Sequence, residues 1–144
     1  MLRFITALAL AGSVALAACG GDEGGRADTG PDGVRATVKE FTTSFKDKKF
    51  GGACALMTPA ARGQVVSAGQ GQPGAKAQSC PRLLALARAF TPDAQLAKAV
   101  GQTEGLKVTV DGDRATSEAT RAGGTGGKYR YVDGEWFIAS RSGQ

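Results

Sequence analysis

Apolar residues along the chain change their spacing twice. Phe4 to Leu16 is a nearly unbroken apolar run. Val34, Val38, Phe41 and Phe45 then recur at steps of four, three and four, which is one face of an amphipathic helix. Asp32 is expected to cap that helix and Gly51-Gly52 to break it. Ala53 to Met57 reads as a short buried helical turn. Thr58-Pro59, Cys80-Pro81 and Thr91-Pro92 each place a proline where a helix can start. The first of these helices carries Val65 and Val66 and stops at Gly69. The second presents Leu83, Leu84, Leu86, Ala87 and Phe90 inward. The third carries Leu96 and Val100 and stops at Gly101. After that the period falls to two. Leu106, Val108 and Val110 alternate with Lys107 and Thr109, as a half-buried strand requires. Asp111-Gly112 and Asp133-Gly134 are hairpin signals. Three more strands follow, at Arg114–Thr120, Lys128–Val132 and Glu135–Ser140. Their inward faces are Ala115/Ser117/Ala119, Tyr129/Tyr131 and Trp136/Ile138. Helices first and an antiparallel meander of about four strands second predict an α+β domain. The stripe from Val34 to Phe45 is the natural cover for the sheet.

The front of the chain obeys other rules. Met1-Leu2-Arg3 is short and basic, and the apolar run behind it spans about 20 Å as a helix, against about 30 Å of hydrocarbon core. That favours a signal peptide over a membrane span. The run ends in Leu16-Ala17-Ala18-Cys19, which resembles the lipobox of bacterial lipoproteins. The resemblance implies cleavage before Cys19 and a diacylglyceryl group on its sulfur. The competing reading is an ordinary signal peptide with a chance cysteine near its cut site. Residues 1–18 are therefore expected to leave, and the membrane is the expected partner of Cys19. Two acyl chains hold where one holds only marginally. Gly20 to Gly33, "GGDEGGRADTGPDG", offers one alanine as its apolar side chain and is expected to be a flexible linker. Residues 19–33 thus form a lipidated cysteine and a stalk, and 34–144 a single globular domain.

Charge and cysteine content narrow the partners. Signal and stalk hold two of the 18 basic and four of the 13 acidic residues, so the domain keeps a formal charge of +7. Export excludes nucleic acid as the reading of that excess and leaves an anionic lipid or wall polymer, or a merely solvated surface. Cys54 and Cys80 remain in the domain. An oxidising compartment and an even count point to one disulfide between them, with two buried free thiols as the alternative. No metal site is expected, since the chain has no histidine and two thiolates make a poor zinc cage.

The segments "VKEFTTSFKDKKFGGACALMT", "SCPRLL", "VDGDRATSEA" and "VDGEWFIAS" together resemble small actinobacterial lipoproteins whose domain is similar to nuclear transport factor two. That resemblance covers nearly all of 34–140. It implies a cone, a curved sheet wrapped round a long helix, shared with cystatin-like proteins, ketosteroid isomerase and SnoaL-like cyclases. In that family Cys54 and Cys80 correspond to a recurrent pair. This chain has a longer helical region than an ordinary cone and fewer clear strands.

Familiar catalytic patterns fail on inspection. Gly69-x-Gly71-x-x-Gly74 matches a dinucleotide fingerprint by letter, but it follows a helix and contains Pro73. Gly127-Lys128 resembles the end of a phosphate loop, yet Ala122 and Tyr129 replace residues that loop needs. Asp111-Gly112-Asp113 supplies too few oxygens for calcium. Lack of histidine excludes Ser–His and Cys–His nucleophiles. A cone-pocket enzyme would need an inward carboxylate beside a tyrosine hydroxyl; Tyr129 or Tyr131 could give the second, while Glu118 is expected to face outward. No cofactor is expected. Phe41, Phe45, Tyr129, Tyr131 and Trp136 form either a pocket for a small apolar ligand or the packed core. The sequence thus predicts a non-catalytic binding or accessory module acting on an envelope protein or a small ligand, with the isomerase-like enzyme and the anionic-surface module as alternatives.

Overall fold

The computed structural model describes residues 25–70, 78–118 and 126–141. The apolar stripe becomes one face of α1 (Pro31–Lys46). Val34, fully buried, joins Ala115, Tyr129 and Trp136 in one core cluster, with Val38 packed against it. One turn further on, Phe41 and Phe45 pack on a second cluster of Ala53, Cys54, Met57, Ala61, Cys80 and Leu84. Ile138 touches both clusters. α1 is therefore a spine shared by two small cores, one under the sheet and one among the helices. Thr37 sits on the same stripe and is also fully buried. Its hydroxyl donates between the carbonyls of Gly33 at 3.0 Å and Trp136 at 3.2 Å, which removes the cost of burying it.

Local rules set the helix limits, with three departures from expectation. α1 starts at Pro31, whose fixed φ suits the first turn, with Gly30 rather than Asp32 at the cap position. Asp32 lies inside the first turn and pairs with Arg35. α1 also stops earlier than the glycine pair predicts. Lys48 adopts φ 62° and turns the chain, and Gly51-Gly52 lie inside α2 (Phe50–Ala55). α3 (Pro59–Gly69) is capped as expected, with Thr58 Oγ1 accepting the Ala61 N–H at 3.2 Å. α4 (Cys80–Ala89) and α5 (Asp93–Gly101) complete the helical half. Thr91 does not cap α5; its hydroxyl donates back to Ala87 O at 2.9 Å. Leu86 and Phe90, expected inward, are 37% and 80% exposed. The packed stripe of α4 runs through Cys80, Leu83 and Leu84; Leu86 falls about 110° from its centre round the helix, and Phe90 is the C-cap residue that follows the last turn.

β1 (Val108–Asp111), β2 (Arg114–Ser117), β3 (Gly127–Val132) and β4 (Glu135–Arg141) form one antiparallel sheet in sequence order. The fold is α+β, as the period change predicts. Gly112 (φ 58°) opens the first hairpin turn; Asp133 (φ 50°) and Gly134 (φ 88°) fill the second, the positive φ values that primed turns need. The outer edge of β4 is covered. Trp136 N–H donates to Arg26 O at 3.2 Å, Ile138 N–H to Leu56 O at 2.9 Å, and Thr58 N–H to Ile138 O at 2.9 Å. A strand edge occupied in this way offers no template to another chain.

The folded unit begins before Val34, which corrects the expected linker boundary. Tyr131 donates its hydroxyl to Ala27 O at 2.9 Å, and Trp136 Nε1–H donates to Asp28 O at 2.8 Å. Arg26 pairs with Glu135 at 3.0 Å and Glu40 at 3.6 Å, and its guanidinium lies 5.2 Å from the Phe137 ring centroid. Gly33 permits this approach, because a Cβ there would stand 1.9 Å from Asp28 O and 2.7 Å from Trp136 Cδ1. The segment offers no apolar side chain larger than Ala27 and Pro31 and is fixed through its backbone carbonyls instead. Cys19 and the apolar run lie outside the described residues, as do 71–77 and 119–125.

Candidate functional site

The expected disulfide is present: Cys54 of α2 is bonded to Cys80 of α4. Both are buried, at 4% and 6% exposure, among Ala53, Met57, Ala61 and Leu84. The bond fastens α4 to the helices that follow α1 and so fixes one wall of the cavity described next.

That cavity holds about 410 Å³ between α1, the α4–α5 corner and the inner face of the sheet. Val38, Phe41 and Phe45 of α1 line one side, Leu96 and Ala99 of α5 another, and Ser117, Tyr129 and Ile138 of the sheet the floor. The aromatic residues singled out by sequence separate here. Phe41, Phe45 and Tyr129 reach the cavity. Tyr131 and Trp136 do not; they stack edge-to-face at 5.2 Å in the cluster under α1 and hold the N-terminal segment. Phe41 and Phe45 stack with centroids 6.3 Å apart, and Phe45 meets Phe50 edge-on at 6.1 Å.

One end of the floor is polar. Ser117 Oγ accepts the Gly127 N–H at 2.9 Å and lies 3.0 Å from the Tyr129 hydroxyl. Both side chains are buried, at 8% and 5% exposure. The two hydroxyls share one hydrogen bond, so whichever donates, the other keeps a proton. Among the described residues no protein group accepts that second proton. Burial pushes the Tyr129 phenol above the ordinary tyrosine range, and its bond with Ser117 offsets part of that rise. The phenol is thus a neutral donor at neutral pH. Gly127 makes the arrangement possible, since a Cβ there would lie 2.5 Å from Tyr129 Oη and 2.8 Å from Cζ. Sequence reading placed Ser117 on a small inward face but started the strand at Lys128, which left Gly127 outside it. The signal that could have found it is the i, i+2 alternation that sets Gly127 and Tyr129 on one face.

Ionisable groups are sparse at this end. Glu118 is the one carboxylate among the described lining residues; its side chain is 73% exposed and lies 3.8 Å from Lys107 Nζ. A broader open groove runs along the far side of α1. Arg26, Arg35, Lys39 and Lys49 border it together with Asp32, Glu40, Glu104 and Glu135. Its charges balance, so it is not an anion cradle. Among the described residues no group of acidic or cysteine side chains is placed to hold a metal ion, and no helix is long and apolar enough to cross a membrane.

No known family model matches this chain, and no match is found among curated proteins or solved structures.

Proposed function

We propose that this chain is an exported, lipid-anchored, non-catalytic binding module whose domain is cone-like. Its ligand is a small apolar molecule carrying one hydrogen-bond acceptor, seated between α1, α5 and the sheet. The observation that carries this is the Ser117–Tyr129 pair: a donor with a proton to spare at one end of a cavity whose walls mix Val38, Phe41, Phe45 and Leu96 with Thr42 and Gln95. Pockets of this kind, with apolar walls and a few placed polar groups, are the ordinary form of small-ligand sites. Binding is favoured over isomerase-like chemistry because the nearby carboxylate, Glu118, is solvated and close to a lysine. Isomerase-like chemistry needs a carboxylate held inside the apolar part of the pocket, and this one faces solvent.

The anchor reading rests on Leu16-Ala17-Ala18-Cys19. It gains a dimension from the fold. With Arg26 fixed to the domain, at most six residues separate it from Cys19, and their covalent reach is about 20 Å. The Arg26 end of the domain is then held close to the bilayer.

Two measurements test the proposal. Intact-mass analysis of the membrane-extracted chain is expected to give a mature protein starting at an acylated Cys19; a bare Cys19 sinks the anchor. A naphthalene-based fluorescent probe of apolar sites is expected to bind at one site per chain and to be lost in Ala99→Phe, which fills the cavity. Non-saturable binding, or full binding by the variant, sinks the pocket.

A further inference from the structure

The two edges of the sheet are treated differently. The outer side of β4 is covered by Arg26, Thr37 and the residues between α2 and α3. The outer side of β1 is not. Glu118 N–H bonds Lys107 O, and Asp111 pairs with Arg114 at the hairpin. Alternation along an antiparallel ladder then turns the N–H and C=O groups of Val108 and Val110 away from β2. Among the described residues no backbone or side-chain group bonds them. Their side chains are half-buried on the inner face, while Thr109 and Asp111 are exposed on the outer face.

We propose that β1 is the seam of a two-fold homodimer, in which two copies pair their β1 strands antiparallel about Thr109. The sequence Lys107-Val108-Thr109-Val110-Asp111 is self-complementary in that register. Lys107 faces the partner's Asp111, Val108 faces the partner's Val110, Thr109 faces the partner's Thr109, and each relation is repeated by symmetry. Val108 and Val110 exchange their free backbone groups with the partner's Val110 and Val108. Opposite charges and β-branched residues directly across a ladder are favourable pairs. A slip of the two-fold centre to Val108 sets Lys107 against threonine and Asp111 against Gly105. A slip to Val110 sets Asp111 against threonine and Val108 against Gly112. Both slips break one of the matched sets, so the register about Thr109 is selected by charge and by shape. Asp111 has no ion pair among the described residues, and Lys107 has a loose, exposed one with Glu118 at 3.8 Å. The dimer would join two four-stranded sheets into one of eight and remove the remaining open edge.

Sedimentation velocity on the full mature chain tests this, over a concentration series reaching about 100 µM, which detects association worth about 5.5 kcal/mol or more. The wild type is expected to dimerise. Lys107→Asp and Asp111→Lys, singly, oppose like charges at both ends of the seam and are expected to raise the dissociation constant about tenfold or more. The double exchange restores opposite charges and is expected to bring dimerisation back to within about threefold of wild type. A monomer at every concentration overturns the proposal. So does a dimer indifferent to the single exchanges, or one that the double exchange fails to rescue while circular dichroism shows all variants folded.

Discussion

Reducing the Cys54–Cys80 bond gives the most quantitative test of how the helical half is held. The cysteines are 26 residues apart. In the chain-entropy treatment a loop of that size withholds about 12 cal/mol/K from the unfolded chain, or about 3.5 kcal/mol at room temperature. A domain of this length has a total stability of roughly 5–15 kcal/mol, so the bond supplies a large share. Reduction leaves both sulfurs in the core among Ala53, Met57, Ala61 and Leu84. Native packing is therefore nearly conserved, and the loss reports on the unfolded chain. The assay is urea unfolding followed by Trp136 fluorescence, with and without a strong reductant under an inert atmosphere. With a slope of about 1.5–2 kcal/mol/M, the midpoint is expected to fall by about 2 M, and the slope to rise as the unfolded chain expands. Cys54→Ala/Cys80→Ala is expected to fall at least as far, with about 1 kcal/mol more for the small cavities it leaves. A fall below about 0.5 M in fully reduced protein would refute the reasoning. It would mean that the closed segment is already constrained without the bond.

Two further outcomes probe the polar end of the cavity. Gly127→Ala is expected to cost about 1–3 kcal/mol, because the new Cβ must displace the Tyr129 hydroxyl and part the Ser117 pair; in Gly127→Ala/Tyr129→Phe the combined loss in urea is expected to be smaller than the sum of the single losses, and strict additivity would count against the contact. Tyr129 also has a pH signature. The folded protein binds the phenolic proton more tightly than the unfolded chain does, so its contribution is complete below the unfolded value near 10 and declines as pH rises through the folded value, by up to about 1.4 kcal/mol per pH unit. Wild type is therefore expected to lose stability between pH 10 and 11 more steeply than Tyr129→Phe, and parallel curves in that range would contradict the burial.

What could be read from sequence and what could not divide along a physical line. The sheet and the face of α1 were legible because hydrophobic burial writes a period into the chain: Val34, Val38, Phe41 and Phe45 at helical spacing, then Leu106, Val108 and Val110 at strand spacing. The disulfide was legible from cysteine arithmetic together with the expected oxidising compartment. The N-terminal segment was not, because its anchors are the carbonyl oxygens of Arg26, Ala27 and Asp28, and every residue type carries a carbonyl. Composition therefore gives no sign that Tyr131 and Trp136 will capture them. The inward orientation of Leu86 and Phe90 failed for a related reason. Their apolarity is real, but Leu86 lies off the stripe that the Cys54–Cys80 bond turns inward, and Phe90 follows the end of α4 at its C-cap, beyond the packed turns. The division of the five aromatic residues between cavity and latch has the same origin. Tyr129 and Tyr131 are two residues apart on one face of β3 and are equivalent by periodicity. They differ because Gly127 lets the first ring fold back toward Ser117, while the second meets the chain arriving from Arg26. The site is thus set by backbone positions on either side of two similar side chains. Exchanging Gly127 is accordingly a sharper probe of the cavity than exchanging either phenylalanine that lines it.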